Sequence, residues 1–136
     1  MVRSRSVPDQ RQGSPGTQQA QPGYALKLAN RPTKGDYMIR HTVVFSLKHA
    51  AGSDEEKEFL AAGRRLGNIP TVNNFECLRQ ISRKNSYRFG FLMEFESEED
   101  YEFYTNHKEH VDFVQNRWIP EVVDFLEIDY EECEIV

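Results

Sequence analysis

Residues 39–48 read Ile-Arg-His-Thr-Val-Val-Phe-Ser-Leu-Lys, and mainly apolar side chains occupy every second position. One face would hold Ile39, His41, Val43, Phe45 and Leu47. Because successive side chains of a β-strand point to opposite faces of a sheet, this alternation predicts a strand with one buried face. Residues 87–95 repeat the pattern, with Tyr87, Phe89, Phe91, Met93 and Phe95 on one face. The sequence therefore predicts two half-buried strands.

Two acidic segments that begin with serine predict the starts of helices. Ser53-Asp54-Glu55-Glu56 has the form of a capping box, and its carboxylates would lie at the positive end of the helix dipole. The apolar side chains that follow it at helical spacing are Phe59, Leu60, Gly63 and Leu66. Ser97-Glu98-Glu99-Asp100 opens a second helix, which we expect to break near residues 106–108 and to end at Pro120.

Further strands predicted over residues 75–83 and 122–130 complete the order β-α-β-β-α-β. This order is typical of the ferredoxin-like α+β fold, in which helices cover one face of an antiparallel four-stranded sheet. The other face would not be fully polar, because it includes or borders Thr42, Val44, Leu78 and Leu92. An exposed apolar face is often buried against a second copy, so we predict a two-fold homodimer whose sheets face each other as a dimeric α/β barrel.

Composition limits the classes to which the protein can belong. The chain has 136 residues and a formal net charge of −5, and no apolar run approaches the ~20 residues that span a bilayer. We therefore expect a cytoplasmic protein that does not enter a membrane. An acidic chain lacks the basic surface that binds duplex nucleic acid. Two cysteines without a secretory signal do not indicate a disulfide scaffold.

Residues 1–37 differ from the rest in charge and composition. They contain six Lys or Arg residues against two Asp residues and hold four of the six prolines. Because its apolar residues show no helix or strand periodicity, this segment is predicted to be a disordered basic extension, followed by a folded domain at residues 38–136. The alternatives for its role are a transit peptide, a basic arm that binds acidic surfaces, or an upstream extension without a role. We favour the last, because Met38 directly precedes the first strand.

Four sequence elements, in this order, resemble the stress-responsive dimeric α/β-barrel (Dabb) family. They are His41-Thr42-Val43-Val44-Phe45, Ile69-Pro70, Tyr104-Thr105-Asn106-His107-Lys108-Glu109-His110-Val111-Asp112-Phe113 and Asp129-Tyr130. The resemblance covers about residues 38 to 131 and implies a dimer with a pocket between sheet and helices. One plant branch of the family consists of polyketide (olivetolic acid) cyclases, which close a poly-β-keto chain into an aromatic ring.

The resemblance also implies roles for individual residues. His110 matches the general base of the cyclases, Tyr104 matches the tyrosine that orients the substrate, and His41 matches a pocket histidine. Two further polar residues of the cyclase pocket are replaced here, by Phe89 and Ala62. We therefore expect a shared pocket but not the same substrate.

The remaining predicted ligand-binding residues are His107, Phe45, Phe89, Phe91 and Phe113. Tyr104, His107 and His110 follow one another at intervals of three and would line one wall of a cavity if the helix were continuous. Two structural alternatives remain open. His41 would then be a core histidine with satisfied hydrogen bonds, and one of His107 and His110 would cap the broken helix.

This set of residues suits proton transfer without a cofactor. A histidine can remove a proton next to a carbonyl, and a phenol can stabilise the resulting enolate. A metal site built from His41, His107, His110 and Asp112 is disfavoured, because the two helical histidines lie at i, i+3 rather than i, i+4. Free carbonyls near residues 66–72 would hold at most a structural cation.

The sequence therefore leaves two main functions open. The first is a homodimeric pocket protein, a cofactor-free cyclase or lyase with a His general base, which acts on or binds a small apolar carbonyl or phenolic compound. The second is a non-catalytic structural or stress-protective homodimer. A cofactor-free monooxygenase-like barrel is a third and weaker possibility.

Overall fold

The computed structural model describes residues 38–134. The strands are β1 (Ile39–Leu47), β2 (Asn73–Arg79), β3 (Phe89–Phe95) and β4 (Val122–Tyr130). The helices are α1 (Asp54–Arg64), α2 (Glu98–Asn106), α3 (Lys108–Phe113) and the short α4 (Ile119–Glu121). A 3₁₀ turn at Arg65–Asn68 follows α1, and a π-helical turn at Val114–Trp118 joins α3 to α4. The predicted basic extension at residues 1–37 lies outside the described residues.

The four strands form one antiparallel sheet in the order β2-β3-β1-β4, which confirms the predicted ferredoxin-like fold. β1 is an inner strand, paired with β3 on one side and β4 on the other. The register places His41 opposite Met93 of β3 and Asp129 of β4. An uncharged core residue and a carboxylate thus flank the same histidine.

Two strand boundaries differ from the prediction. β2 ends at Arg79 rather than at residue 83, and β3 begins at Phe89 rather than at residue 87. The physical reason is local, because polar side chains bind the backbone amides that a strand ladder would use. Gln80 accepts from the amide of Ser82, and Asn85 accepts from the amide of Tyr87.

Side-chain caps start the helices as the sequence predicts. The Ser53 hydroxyl accepts from the Glu56 amide at 3.2 Å, and the Ser97 hydroxyl accepts from the Asp100 amide at 3.1 Å. The Glu56 carboxylate accepts from the Gly52 amide at 2.8 Å, which satisfies a further backbone donor before the helix. Among the described helices, none is long and apolar enough to cross a membrane.

Aromatic rings fill the layer between the sheet and the helices. The Phe45 ring lies 4.8 Å from that of Phe91 and 5.0 Å from that of Trp118, measured between centroids. Glu121 fixes the π-helical turn that carries Trp118. Its carboxylate accepts from Arg117 Nε at 2.5 Å and lies 2.7 Å from His49 Nε2.

The sheet face away from the helices carries exposed apolar side chains. Leu78 is 44% exposed, Leu126 is 48% exposed and Ile128 is 38% exposed, while Val44 and Leu92 of the same face are partly buried. A face of this kind is typical of an interaction surface.

We predict that Gly63→Ala destabilises the domain. A Cβ atom at this position would overlap Cζ of Phe91, whose ring is 3% exposed and surrounded by the core. The expected loss is about 1–3 kcal/mol of unfolding free energy, although alanine is the better helix former. Urea unfolding measures it. A gain of stability would show that the ring moves aside without cost.

Candidate functional site

The candidate site lies around His41, which β1 buries in an otherwise apolar layer. Its side chain points towards the helices between Ile39 and Val43, and the residue is 5% exposed. The rings of Tyr101, Tyr104 and Phe95 surround it, with centroids 5.0, 6.1 and 6.4 Å away. Because burying an unpaired polar group is costly, the ring needs hydrogen-bond partners in this layer.

Asp129 and Tyr101 supply these partners. Nδ1 of His41 lies 2.6 Å from Oδ1 of Asp129 and 2.8 Å from the Tyr101 hydroxyl oxygen. The Tyr101 hydroxyl donates to the other carboxylate oxygen of Asp129 at 2.8 Å. On the opposite side of the ring, Nε2 lies 3.6 Å from Oε2 of Glu127. We call His41, Tyr101, Asp129 and Glu127 the edge network, since β4 is an edge strand.

The charges of the edge network favour the protonated form of His41. Burial alone would lower the pKa of this histidine. The hydrogen bond with Asp129 and the negative charges of Glu127 and Asp129 outweigh that effect, and the pKa is raised above its usual value. Burial, together with the same two charges, raises the pKa of Tyr101 well above its normal range. Tyr101 therefore stays a neutral hydrogen-bond donor.

His110 lies beside the edge network with the opposite electrostatic character. Its ring centroid is 4.3 Å from that of Tyr104, which in turn is 6.1 Å from that of His41. Nδ1 of His110 donates to the Thr105 carbonyl oxygen at 2.9 Å when that nitrogen carries the proton. Burial, reinforced by the positive charges of His41 and His107, lowers the pKa of His110 to about 4 despite this hydrogen bond.

Three of the predicted site residues are thus brought together. His41, Tyr104 and His110 form a continuous series of ring contacts, and Tyr104 is 3% exposed. Burial raises the pKa of Tyr104, and the charges of Glu127 and Asp129 add to the effect, so its hydroxyl also remains protonated. The two tyrosines and the neutral His110 provide donors and an acceptor within one cluster.

The structure places His107 apart from this cluster. The predicted wall required a continuous helix, but His107 separates α2 from α3 and caps α3, where its Nδ1 accepts from the Glu109 amide at 3.1 Å. Its ring packs against the exposed Phe103 at a centroid distance of 5.5 Å. The position of His107 fits the alternative in which it caps the broken helix. It does not place His107 on one wall with Tyr104 and His110.

The four predicted pocket phenylalanines are core residues in this structure. Phe45, Phe89, Phe91 and Phe113 are each at most 8% exposed. The ring of Phe45 contacts those of Phe89 and Phe91, and Phe113 packs against Phe59. Phe45, Phe89 and Phe91 pack among core rings, whereas Phe113 also lines an open depression at the helix surface.

Open depressions lie instead at the helix surface. One, of about 400 Å³, has an apolar floor and a charged rim, and it is lined by Ala62, Arg65, Leu66, Glu109, Asp112, Phe113, Asn116 and Arg117. Another, of about 390 Å³, is lined by Glu99, Glu102, Phe103, Asn106 and His107. Neither is lined by His41, Tyr104 or His110.

Some groups named for a cation site have protein partners in this structure. Within residues 38–134, no three His, Cys, Asp or Glu side chains are grouped as metal ligands. Asp112 pairs with Lys108 at 2.6 Å, one turn away on α3. The carbonyls of Leu66 and Ile69 accept backbone hydrogen bonds at 3.1 and 2.9 Å.

Sequence reasoning missed the edge network as a unit. The sequence marks Asp129 only as part of a motif, and the sequence prediction assigns no site role to Tyr101 or Glu127. Two signals were available, since Tyr101 precedes Tyr104 by three residues on one helix and Glu127 and Asp129 alternate on one strand. Their meeting with His41 depends on the β1–β4 register, which alternation alone does not fix.

Comparison with known proteins identifies the family. The model of the stress-responsive A/B barrel domain (Dabb) matches residues 39–132, so the chain belongs to this family. It shares 56% identity with a Dabb-family protein of ferredoxin-like fold from Mesorhizobium loti, with 72% of this chain and 99% of that one covered and a TM-score of 0.70. No match was found among curated proteins.

More distant structures share the fold. A hydroxynitrile lyase from Passiflora edulis is 16% identical, with 73% of this chain and 96% of that one covered and a TM-score of 0.64. A dimeric protein of unknown function from Bacteroides fragilis is 20% identical, with coverage of 70% and 96% and a TM-score of 0.55. At these identities the likeness concerns the fold alone.

We predict that His110 makes the domain less stable in acid. The unfolded chain binds a proton at His110 near pH 6.5, whereas the folded chain does so near pH 4. Between these values the unfolded state holds more protons, so unfolding free energy falls as the pH falls. From about pH 7 to about pH 4.5, wild type should lose on the order of 1–2 kcal/mol more than His110→Gln. Urea titrations at both pH values measure this, and equal losses would contradict it.

Proposed function

We propose that this Dabb protein is a homodimeric, cofactor-free proton-transfer catalyst of the cyclase or lyase type, acting on a small β-dicarbonyl compound. One observation carries the proposal. His41 and His110 both pack against the Tyr104 ring, but carboxylates approach His41 whereas His110 hydrogen-bonds to a neutral carbonyl oxygen. These surroundings shift the pKa values of the two histidines in opposite directions. Such a divergence is how one site provides an acid and a base at the same pH.

His110 is the proposed general base. With its pKa near 4 it is neutral at pH 7, and its Nδ1 proton is engaged by the Thr105 carbonyl. Nε2 therefore carries the lone pair that accepts a proton. His110 is also only partly buried, whereas His41 and Tyr104 are buried.

The low pKa of His110 favours a particular substrate class. A base with a pKa of about 4 gives little driving force for removing a proton from an ordinary ketone. A carbon between two carbonyl groups is a much stronger acid, because both oxygens share the charge of its conjugate base. A linear poly-β-keto compound, or a similar β-dicarbonyl, therefore suits this base.

The remaining steps use the phenol and the second histidine. Nε2 of His110 takes the proton from the carbon, and Tyr104 donates a hydrogen bond to the enolate oxygen. The enolate carbon attacks a second carbonyl carbon to form the new bond, and that oxygen is protonated by His41. His110 returns its proton to the hydroxyl as it leaves as water, and loss of another carbon-bound proton to the deprotonated His41 restores both histidines.

We predict that the protein accelerates the ring closure of a linear tetraketide ester, the methyl ester of trioxo-octanoic acid, to methyl orsellinate with loss of water. The carbon that attacks in this reaction lies between the ester carbonyl and a ketone. His110→Ala should lower the rate about a hundredfold, the usual contribution of a general base. His107→Asn is the matched control, because it alters a histidine outside the cluster and keeps a helix-capping residue. Chromatography of the phenol measures both rates. A wild-type protein that gives no acceleration would contradict the catalytic proposal.

A non-catalytic homodimer is the second candidate function. The observation that favours it is the close packing of the buried rings around Phe45 and Phe91, together with two surface depressions that His41, Tyr104 and His110 do not line. In this interpretation His41 is a core histidine whose hydrogen bonds are satisfied. The ring-closure assay separates the two candidates.

We predict that the apolar sheet face forms the dimer interface. Leu126 lies on this face opposite Val44, and Leu126→Lys should convert a dimer into a monomer by burying an unpaired charge. Phe103→Lys is the matched control, because Phe103 on α2 is equally exposed, at 48%, but lies on the helical side. Light scattering after gel filtration gives both masses. A monomeric wild type, or a dimer that survives Leu126→Lys, would contradict the assignment.

A further inference from the structure

The hydroxyl group of Tyr101 has a role that packing does not explain. The ring of Tyr101 stacks on Phe95 with centroids 4.8 Å apart and an interplanar angle of 2°. A phenylalanine would fill this space equally well. The hydroxyl instead reaches the edge network, where it contacts both Asp129 and His41.

The hydrogen bonds of this network determine which nitrogen of His41 carries the proton when the imidazole is neutral. Tyr101 has one hydroxyl proton, which it donates to Oδ2 of Asp129. Its oxygen, 2.8 Å from Nδ1 of His41, must then accept a proton from that nitrogen. Oδ1 of Asp129, 2.6 Å from the same nitrogen, also requires a proton there. All three contacts are satisfied together only when Nδ1 is protonated.

Asp129 needs such an anchor because of its position. It lies on an edge strand, and its side chain is 40% exposed, whereas that of His41 is 7% exposed. A carboxylate in contact with water rotates readily away from a partner that it holds through one oxygen. The Tyr101 hydroxyl holds the second oxygen and so directs the first towards His41.

We propose that Tyr101 is a positioning residue, whose hydroxyl holds the Asp129 carboxylate against His41 and keeps the imidazole proton on Nδ1. Nε2 is then the nitrogen that faces Glu127 and is available for proton exchange with a bound molecule. The groups that face His41 are Tyr101 and Tyr104 from α2, His110 from α3, and Glu127 and Asp129 from β4. Proton exchange between Nε2 and a bound molecule rests on the proposed function, whereas the position of the proton on Nδ1 does not.

Nuclear magnetic resonance of ¹⁵N-histidine-labelled protein tests the proposal. In wild type, the Nδ1 proton of His41 should be protected from exchange with water. In Tyr101→Phe, which keeps the stacked ring, it should exchange about tenfold faster, and at a pH where the imidazole is neutral the second tautomer should appear. Tyr130→Phe is the matched control, because it removes a phenol next to Asp129 on the opposite face of β4 and should leave exchange unchanged.

Two results would overturn the proposal. One is a folded Tyr101→Phe protein with wild-type exchange and tautomer, which would limit Tyr101 to packing. If that variant does not fold, Asp129→Ala replaces it, because it removes both acceptor oxygens, and unchanged protection of Nδ1 there would equally contradict the network. A changed signature in a protein that does not close the tetraketide ester would refute the proposed function and leave the positioning role intact. An unchanged signature in a protein that closes the ester would refute the positioning role and leave the proposed function intact.

Discussion

The hydrogen bond between His41 and Asp129 is the interaction on which the candidate site depends. A histidine buried in a layer of aromatic side chains is costly unless its nitrogens find partners. β1 lies between β3 and β4, and its register with β4 brings a carboxylate to the one place where it satisfies Nδ1. The same carboxylate attracts the Tyr101 hydroxyl. One strand register thus determines both the burial of the imidazole and its protonation.

The two histidines of the cluster differ because their partners differ. His41 faces the carboxylates of β4, whereas His110 hydrogen-bonds to a neutral carbonyl and shares the low-dielectric surroundings of Tyr104. The interruption of the helix at His107 contributes to this difference. The Glu109 amide donates to His107 rather than to Thr105, so the Thr105 carbonyl can accept from the His110 ring. The break between α2 and α3 and the carboxylates of the edge strand β4 thus give His110 and His41 the different surroundings that a base and an acid require.

The sequence predicted the fold well, because alternation in β1 and β3 and serine caps at both helices are local signals with a direct physical cause. It predicted the cluster only in part. His41, Tyr104 and His110 do lie together. His107 would join them only on a continuous helix, and the helix is interrupted at this residue. The pairing of His41 with Tyr101 and Asp129 joins residues 60 and 88 positions apart, through a register that side-chain alternation does not determine. Packing likewise decides whether aromatic side chains face a cavity or one another.

The measurement that tests the central claim most directly is a ¹⁵N titration of the histidines, with each resonance assigned by substitution. The claim is that the surroundings within one cluster raise the pKa of His41 and lower the pKa of His110. The account predicts that His110 titrates near pH 4 and that His41 titrates above the ordinary value of 6.5. Two histidines that titrate together near pH 6.5 would contradict it, because the carboxylates and the burial would then have no differential effect.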